Sequence, residues 1–342
     1  MLASQTLPSA SLLGPQPPLP PLPADAPQSP DLPQPPFLPQ PPLPSQPSRA
    51  QSLFALNPSD EPPANGSDRP DSSDRADSIL STTAHRPWPL PSTRWKMTQR
   101  WNDLLFAHWP VPAAQLNPLL PSNLVVDTFD GSAWVGVVPF WMDQIRMSGL
   151  PAIPGLNRFP ELNLRTYVRE PNTNMGGVYF FSLDAGNPLA VAFARLVYKL
   201  PYYWSKMSID SCGEREFCYS SQRRLVKEQA GFRARYRSLG QASDKHDLEK
   251  FLTERYALYT ANRSGAVFKG NIHHLPWPLE RAEADFELNE LPRAHGITLP
   301  DTPPLLHYSR ELVVYIWALE PLVSPLRNAS PVAVEQGAGA GA

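Results

Sequence analysis

The chain is 342 residues long and 44 of them are proline, 24 within residues 1–91. Proline fixes φ and lacks an N–H, so a segment this rich in it builds neither helices nor central strands. The formal net charge of −2 argues against a dedicated nucleic-acid binder, whose affinity would rest on neutralising phosphates.

Residues 1–50 read as a disordered arm of polyproline-II character. Pro44-Ser45-Gln46-Pro47-Ser48-Arg49 fits the P-x-x-P-x-R pattern bound by SH3-type grooves, but such a match is common by chance in so proline-rich a stretch. Residues 51–91 are polar and acidic and also read as disordered. No basic residue precedes Arg49, which argues against a secretory signal. The most apolar run, Leu189 to Leu200, carries Arg195 and Lys199 and is short of the roughly 20 apolar residues of a membrane span. The cytoplasm is therefore the expected location. The expected organisation is a disordered Pro-rich and acidic segment over 1–96, one folded domain over 97–326, and a flexible Gly/Ala tail over 327–342. Either the first segment is dispensable for the domain or the native chain begins at Met97.

From Met97 the composition turns aromatic and aliphatic. Leu124–Phe129, Asp130-Gly131 and Ala133–Trp141 form a hairpin signal. The second run is apolar on both faces, as in a buried strand. Over 162–169, Leu162, Leu164, Thr166 and Val168 alternate with Asn163, Arg165, Tyr167 and Arg169, which predicts one apolar and one polar face. Val178–Leu183 is another strand. Asn187-Pro188 opens a helix as N-cap and first helical residue, ending near Leu200 before Pro201. The two cysteines, Cys212 and Cys218, read as reduced thiols rather than a disulfide scaffold or zinc site. Phe232, Ala234 and Tyr236 alternate with Arg233, Arg235 and Arg237. A second helix is predicted over 244–259, and further strands near 266–272, 280–289 and 308–319. About nine strands and two helices make an antiparallel, β-rich α+β domain with a curved or closed sheet.

Several blocks carry a more specific signal: TQRWNDLLFAHWPV, DTFDGSAWVGVVPF, FPELNLRTYV, GVYFFSLDA, LPYYWSKM, HHLPWPL and PLLHYS. Together, over about residues 97–320, they resemble the YqjF-like family of uncharacterised bacterial proteins, which is similar to the acetoacetate decarboxylase superfamily. The resemblance implies a cone-shaped antiparallel β-barrel with a small internal cavity. In the frame of those decarboxylases, Arg195 and Pro201 fall on the arginine and proline of the lysine segment, and the two lysines fall on Tyr202 and Tyr203. An active-site glutamate falls on Glu161 and an active-site arginine on Arg100. A phenol cannot form an imine, so Schiff-base decarboxylation is disfavoured.

The resemblance therefore implies a protein that binds a small carboxylate or carbonyl ligand, with Arg100, Tyr202 and Tyr203 as ligand-binding residues and Glu161 as the catalytic candidate. An enzyme using acid–base chemistry at Glu161 is one alternative. An interaction protein recruited through the Pro-rich arm is another. Competing readings are structural: Glu161 as a strand-end carboxylate, Arg100 in an ion pair, the two tyrosines in core packing. His273-His274 cannot chelate one ion together, because neighbours on a strand face opposite ways; no metal and no cofactor are expected. His108 and His307 read as hydrogen-bonded structural residues, and the basic run Arg223, Arg224, Lys227, Arg233, Arg235, Arg237 as a solvated outer sheet face. No nucleic-acid or membrane partner is expected, and the reading allows a homo-oligomer.

Overall fold

The computed structural model describes residues 72–150, 158–226, 230–262 and 264–322, all within the unit Ser67–Ala342. Helix α1 (Ser72–Ser81) comes first, followed by β1 (Met97–Val111), the single-turn α2 (Ala113–Leu116) and β2 (Val125–Val126). Long strands β3 (Ala133–Met147), β4 (Arg158–Arg169) and β5 (Gly176–Ala185) lead into α3 (Pro188–Val197). Strands β6 (Tyr202–Gly213), β7 (Glu216–Arg223) and β8 (Gly231–Ala242) precede α4 (Asp247–Thr253). The rest comprises β9 (Ala257–Ala261), β10 (Val267–His273), β11 (Glu280–Asn289), α5 (Leu291–Ala294) and β12 (Leu305–Pro321). The β-rich α+β class holds. The described residues contain twelve strands rather than about nine, and five α-helices rather than two.

All twelve strands belong to one sheet. Its order is β10-β9-β5-β6-β7-β8-β11-β12-β1-β3-β4-β2, and the additional pairings β10–β12 and β5–β4 close it on itself. One closed circuit runs β4-β3-β1-β12-β10-β9-β5. Every pairing is antiparallel except β5 with β6 and with β9. A parallel neighbour needs a crossover rather than a hairpin, and α3 supplies it between β5 and β6. Asn187 caps α3 as the sequence predicts, accepting from the N–H groups of Leu189 at 3.0 Å and Ala190 at 3.2 Å. The helix ends at Val197, and Lys199 turns the chain with a left-handed φ of 52°.

Several local expectations are corrected. Asp130-Gly131 makes the expected tight turn and closes a Phe129–Ser132 bridge, but Val125 and Val126 pair with Arg169 and Val168 of β4 rather than with β3. Helix α4 stops at Thr253, and Tyr259 lies in a strand rather than on a helical stripe. Strand β4 is buried on both faces, including Asn163, Arg165 and Tyr167. The reason is packing: β1, β3 and β4 lie between two apolar cores. One contains Phe106, Phe140, Met142, Leu183, Ile272 and Ile316. The other contains Leu105, Val135, Leu162, Leu164, Phe232 and Tyr236. A strand with cores on both sides cannot show an alternation that marks water.

Strands β6 and β7 form a hairpin joined by a Cys212–Cys218 disulfide, so the expectation of free thiols is corrected. The two residues face each other across a short turn, a geometry that composition alone does not reveal. The basic run divides. Arg233 and Arg237 are exposed and pair with Glu287 and Glu283 of β11. Arg223 instead is 3% exposed and bonded to Asp184.

The expected disorder over 51–91 is corrected from residue 72 onward; residues 1–71 and 323–342, with the SH3-type pattern and the Gly/Ala tail, lie outside the described residues. Ile79 is 5% exposed and packs with Tyr315 and Trp317. The Ile79 carbonyl lies 2.8 Å from His273 Nε2. Arg86 donates to the Ile272 carbonyl at 2.7 Å, and Trp317 Nε1 donates to the Thr93 carbonyl at 2.7 Å. Residues 79–96 are thus a strap across β10 and β12, where the sheet closes. Among the described residues no helix is long and apolar enough to cross a membrane.

Candidate active site

The closed circuit of seven strands surrounds a cavity of about 130 Å³. Each strand contributes to its wall: Trp101 from β1, Met142 from β3, Glu161 from β4, Phe180 from β5, Leu258 from β9, Ile272 from β10 and Ile316 from β12. Ala190, Phe193 and Ala194 of α3 add a further wall, and Thr253, Arg255, His274 and Trp277 another. The lining is mostly aromatic and aliphatic, with a few convergent polar groups, the usual character of a small-molecule site.

Three polar side chains line the cavity from successive inward positions of β4: Glu161, Asn163 and Arg165. Their spacing follows from the period of two in a strand. Glu161 is 3% exposed. It lies within β4 rather than ahead of it. Its backbone carbonyl accepts from Tyr219 at 2.7 Å, and its carboxylate Oε2 accepts from the Tyr202 hydroxyl at 2.8 Å. Burial pushes the Glu161 carboxyl up to about 8, and Asp184 adds to the rise; Tyr202 and Asn163 pull the other way by bonding the charged form. Near neutral pH this carboxyl therefore holds its proton and can exchange it. Burial and the adjoining Glu161 raise the Tyr202 phenol well above its usual range, so it stays a donor.

The other end of this row is cationic. Arg165 is 7% exposed, and its Nη2 donates to the Leu252 carbonyl at 3.2 Å and the Tyr167 hydroxyl at 3.3 Å. Its Nε has no hydrogen-bond partner, and it has no acidic partner among the described residues. Arg255 donates from Nη1 to Asp127 at 2.7 Å, while its Nη2 is unpartnered. Asp127 is shared with Arg169. Asn163 Oδ1 is likewise buried and unpartnered among the described residues. Behind the wall, His108 lies 2.6 Å from the Tyr167 hydroxyl, and burial holds its imidazole neutral.

The structure brings Glu161 and Tyr202 together and separates the other two predicted residues from them. Arg100 donates to Asp143 from Nε and Nη2 and reaches Glu311 from Nη1 at 3.4 Å; it is not among the cavity residues. Its pKa is raised, first by the hydrogen bond it donates to Asp143. Tyr203, the next residue along β6, points the opposite way. It lies under the Arg223 guanidinium at 4.0 Å and edge-on to His295. Arg195 donates to the Tyr202 carbonyl at 2.7 Å. Lys199 is exposed, with its ammonium 3.8 Å above the Phe268 ring, and among the described residues no lysine lines the cavity. His274 faces the cavity while His273 faces the strap, on opposite sides of the strand. Burial lowers His274 to about 4. Among the described residues no cluster of His, Cys, Asp and Glu is arranged to hold a metal ion.

Arg165 and Arg255 are the cavity residues that sequence reasoning missed. Arg165 falls on the polar face of the predicted strand, a pattern that does not by itself point it inward, and Arg255 falls within the helix predicted over 244–259 with nothing local to mark it. Arg165 carried a usable signal: it shares its face with Glu161, so an inward Glu161 implies an inward Arg165.

Among solved structures the fold is similar to an acetoacetate decarboxylase-like enzyme from Sphingomonas wittichii RW1, at 15% identity and a TM-score of 0.47, covering 68% of this chain and 94% of that one. It is also similar to acetoacetate decarboxylase from Legionella pneumophila, at 12% identity and a TM-score of 0.47, covering 72% and 95%. A third similar structure is the enduracididine biosynthesis enzyme MppR, at 8% identity and a TM-score of 0.47, covering 67% and 90%. In sequence, the chain is 46% identical over 232 residues to the uncharacterized protein YqjF of Bacillus subtilis (strain 168), covering 67% of this chain and 94% of that protein. Residues 98–313 match the model of DUF2071, described as an uncharacterized conserved protein family. With that match and that relative, the chain belongs to the DUF2071, YqjF-like family.

Proposed function

We propose that the chain binds a small carbonyl compound or carboxylate in the seven-strand cavity, against Glu161 and Tyr202. The observation that carries this reading is the buried Glu161 carboxyl, raised to about 8 and hydrogen-bonded to Tyr202 in a mostly apolar cavity. Burying an ionisable group in such surroundings costs several kcal/mol unless it is neutral or paired, and the protonated carboxyl, held in place by the phenol, is a donor for a ligand oxygen. A thermal-shift screen of short keto acids, hydroxy acids and aldehydes tests it. The expected result is a ligand-specific shift in the wild type that is lost in Glu161→Gln. Shifts of equal size in both proteins would count against the site.

Acid–base catalysis at Glu161 is the second reading. A carboxyl that titrates near 8 is suited to take and return a proton α to a carbonyl at neutral pH. Deuterium exchange at the α-carbon of a bound ketone, absent in Glu161→Gln, is the expected result; equal exchange in both proteins removes this reading. An imine mechanism finds no support, since no lysine among the described residues lines the cavity.

A further inference from the structure

We propose that the ligand is a short carboxylic acid whose carboxylate is held by Arg165 and Arg255, with a carbonyl or hydroxyl oxygen directed at Glu161 and Tyr202. This rests on the reading of the cavity as a ligand site and narrows it to a chemical class and an orientation. Arg100, the arginine singled out from the sequence, has no part in it.

Three observations converge. The first is an open donor pair. Arg165 Nε and Arg255 Nη2 are buried at the cavity and have no acceptor among the described residues, although both guanidiniums are otherwise hydrogen-bonded. A buried charged donor left without an acceptor is costly, and a bound acceptor removes that cost. The second is charge. Arg165 lacks an acidic partner among the described residues, and the Asp127 carboxylate beside Arg255 already serves Arg169. With Glu161 protonated near neutrality, the described polar lining has an excess of positive charge that one ligand anion balances. A carboxylate suits it, because its two oxygens take charge-assisted hydrogen bonds from guanidinium N–H groups.

The third is polarity along the cavity. Glu161 and Arg165 are four residues apart on one strand face, so their Cα atoms lie about 13 Å apart. Arg165 and Arg255 are joined to the region of Leu252 and Phe251 at one end, and Glu161 is joined to Tyr202 at the other. Between them the wall carries Asn163 and, paired with it on β5, the apolar Leu183. A cavity of about 130 Å³ compares with the roughly 150 Å³ apolar cavity that holds benzene, so it suits about six to eight non-hydrogen atoms. The class is therefore a short oxo- or hydroxy-acid with its two oxygen functions separated by a few carbons.

The test is a titration of the full chain at pH 7 with 4-oxopentanoate and with its neutral isostere 4-oxopentanamide. The proposal expects the wild type to bind the carboxylate about tenfold or more tightly than the amide. Arg165→Gln should abolish that preference while still binding the amide, and Arg100→Gln should preserve it. Equal binding of the two compounds by the wild type overturns the carboxylate assignment and leaves the cavity reading standing. A preference that survives in Arg165→Gln and in Arg255→Gln also overturns it. Binding of neither compound defeats the cavity reading, and this inference with it. If Arg165→Gln does not fold, the wild-type comparison alone decides.

Discussion

Tyr202 reaches across β5 to bond Glu161. Leu183 of β5 pairs with Tyr202 on one side, and Ala185 pairs with Glu161 on the other, yet the phenol and the carboxyl are 2.8 Å apart. This bond favours the charged form of Glu161 against the effect of burial. Tyr202→Phe is therefore expected to raise the Glu161 titration above its value of about 8 and to destabilise the fold by about 1 kcal/mol. A carboxyl-labelled NMR titration reads the midpoint; an unmoved midpoint would contradict the assigned hydrogen bond.

The same carboxyl makes stability depend on pH. Its folded value, about 8, exceeds its ordinary value of 4.5, so the folded state holds a proton that the unfolded chain releases. Stability from this group is full below about 4.5 and declines as pH rises towards 8, by up to about 1.4 kcal/mol per pH unit. Glu161→Gln should flatten that decline and leave the protein more stable than the wild type above pH 8. Chemical denaturation at several pH values is the check, and parallel curves for the two proteins would show that Glu161 is not the group responsible.

Arg100 and Arg165 should respond differently to substitution. Arg100 is about one quarter exposed, in a pair with Asp143 that belongs to the rim of the sheet. Arg100→Ala is expected to cost about 1 kcal/mol or less of stability, given its partial exposure, and to leave ligand-induced stabilisation unchanged. Loss of ligand response in this variant would return Arg100 to the site.

The strap predicts that residues 79–96 contribute to the folded body. Ile79→Ala should cost about 2 kcal/mol through the cavity it leaves against Tyr315 and Trp317. A chain starting at Met97 should melt lower still, since it also removes the Arg86 and Thr93 bonds to Ile272 and Trp317. Differential scanning calorimetry of the three proteins tests this, and equal melting temperatures would restore the boundary at Met97.

Reduction provides the last test. The disulfide closes a sequence separation of 6 across the β6–β7 turn. Loop-closure entropy for so short a loop is worth about 2 kcal/mol. Cys212→Ser with Cys218→Ser should lower the melting temperature by that equivalent, and a reductant should then have no further effect. A wild type insensitive to reductant would argue against the bridge.

The sequence revealed the sheet better than it revealed the site. Phe232, Ala234 and Tyr236 alternate with exposed arginines because β8 does have water on one face, so its pattern could be read. The alternation of β4 is equally regular, yet its polar face, with Asn163, Arg165 and Tyr167, is buried. A period of two identifies two faces but does not say whether the polar one meets water or a cavity. Glu161, Tyr202 and Arg100 all come from the family frame, but Arg100 lies elsewhere, because Asp143 engages its Nε and Nη2 and Glu311 its Nη1. The disulfide and the strap left weaker marks: Gly213-Glu214-Arg215 between two cysteines, and Ile79-Leu80 in a polar segment.

Ile79, Tyr315 and Trp317 all lie outside the residues that match the family model, 98–313. The strap and the surface it covers thus come from the two ends of the domain, one before the matched residues and one after them. Their seam runs along β10 and β12, the same strands that present Ile272 and Ile316 to the cavity. Grafting or deleting the strap becomes a way to alter the rigidity of that wall without touching a residue that lines it.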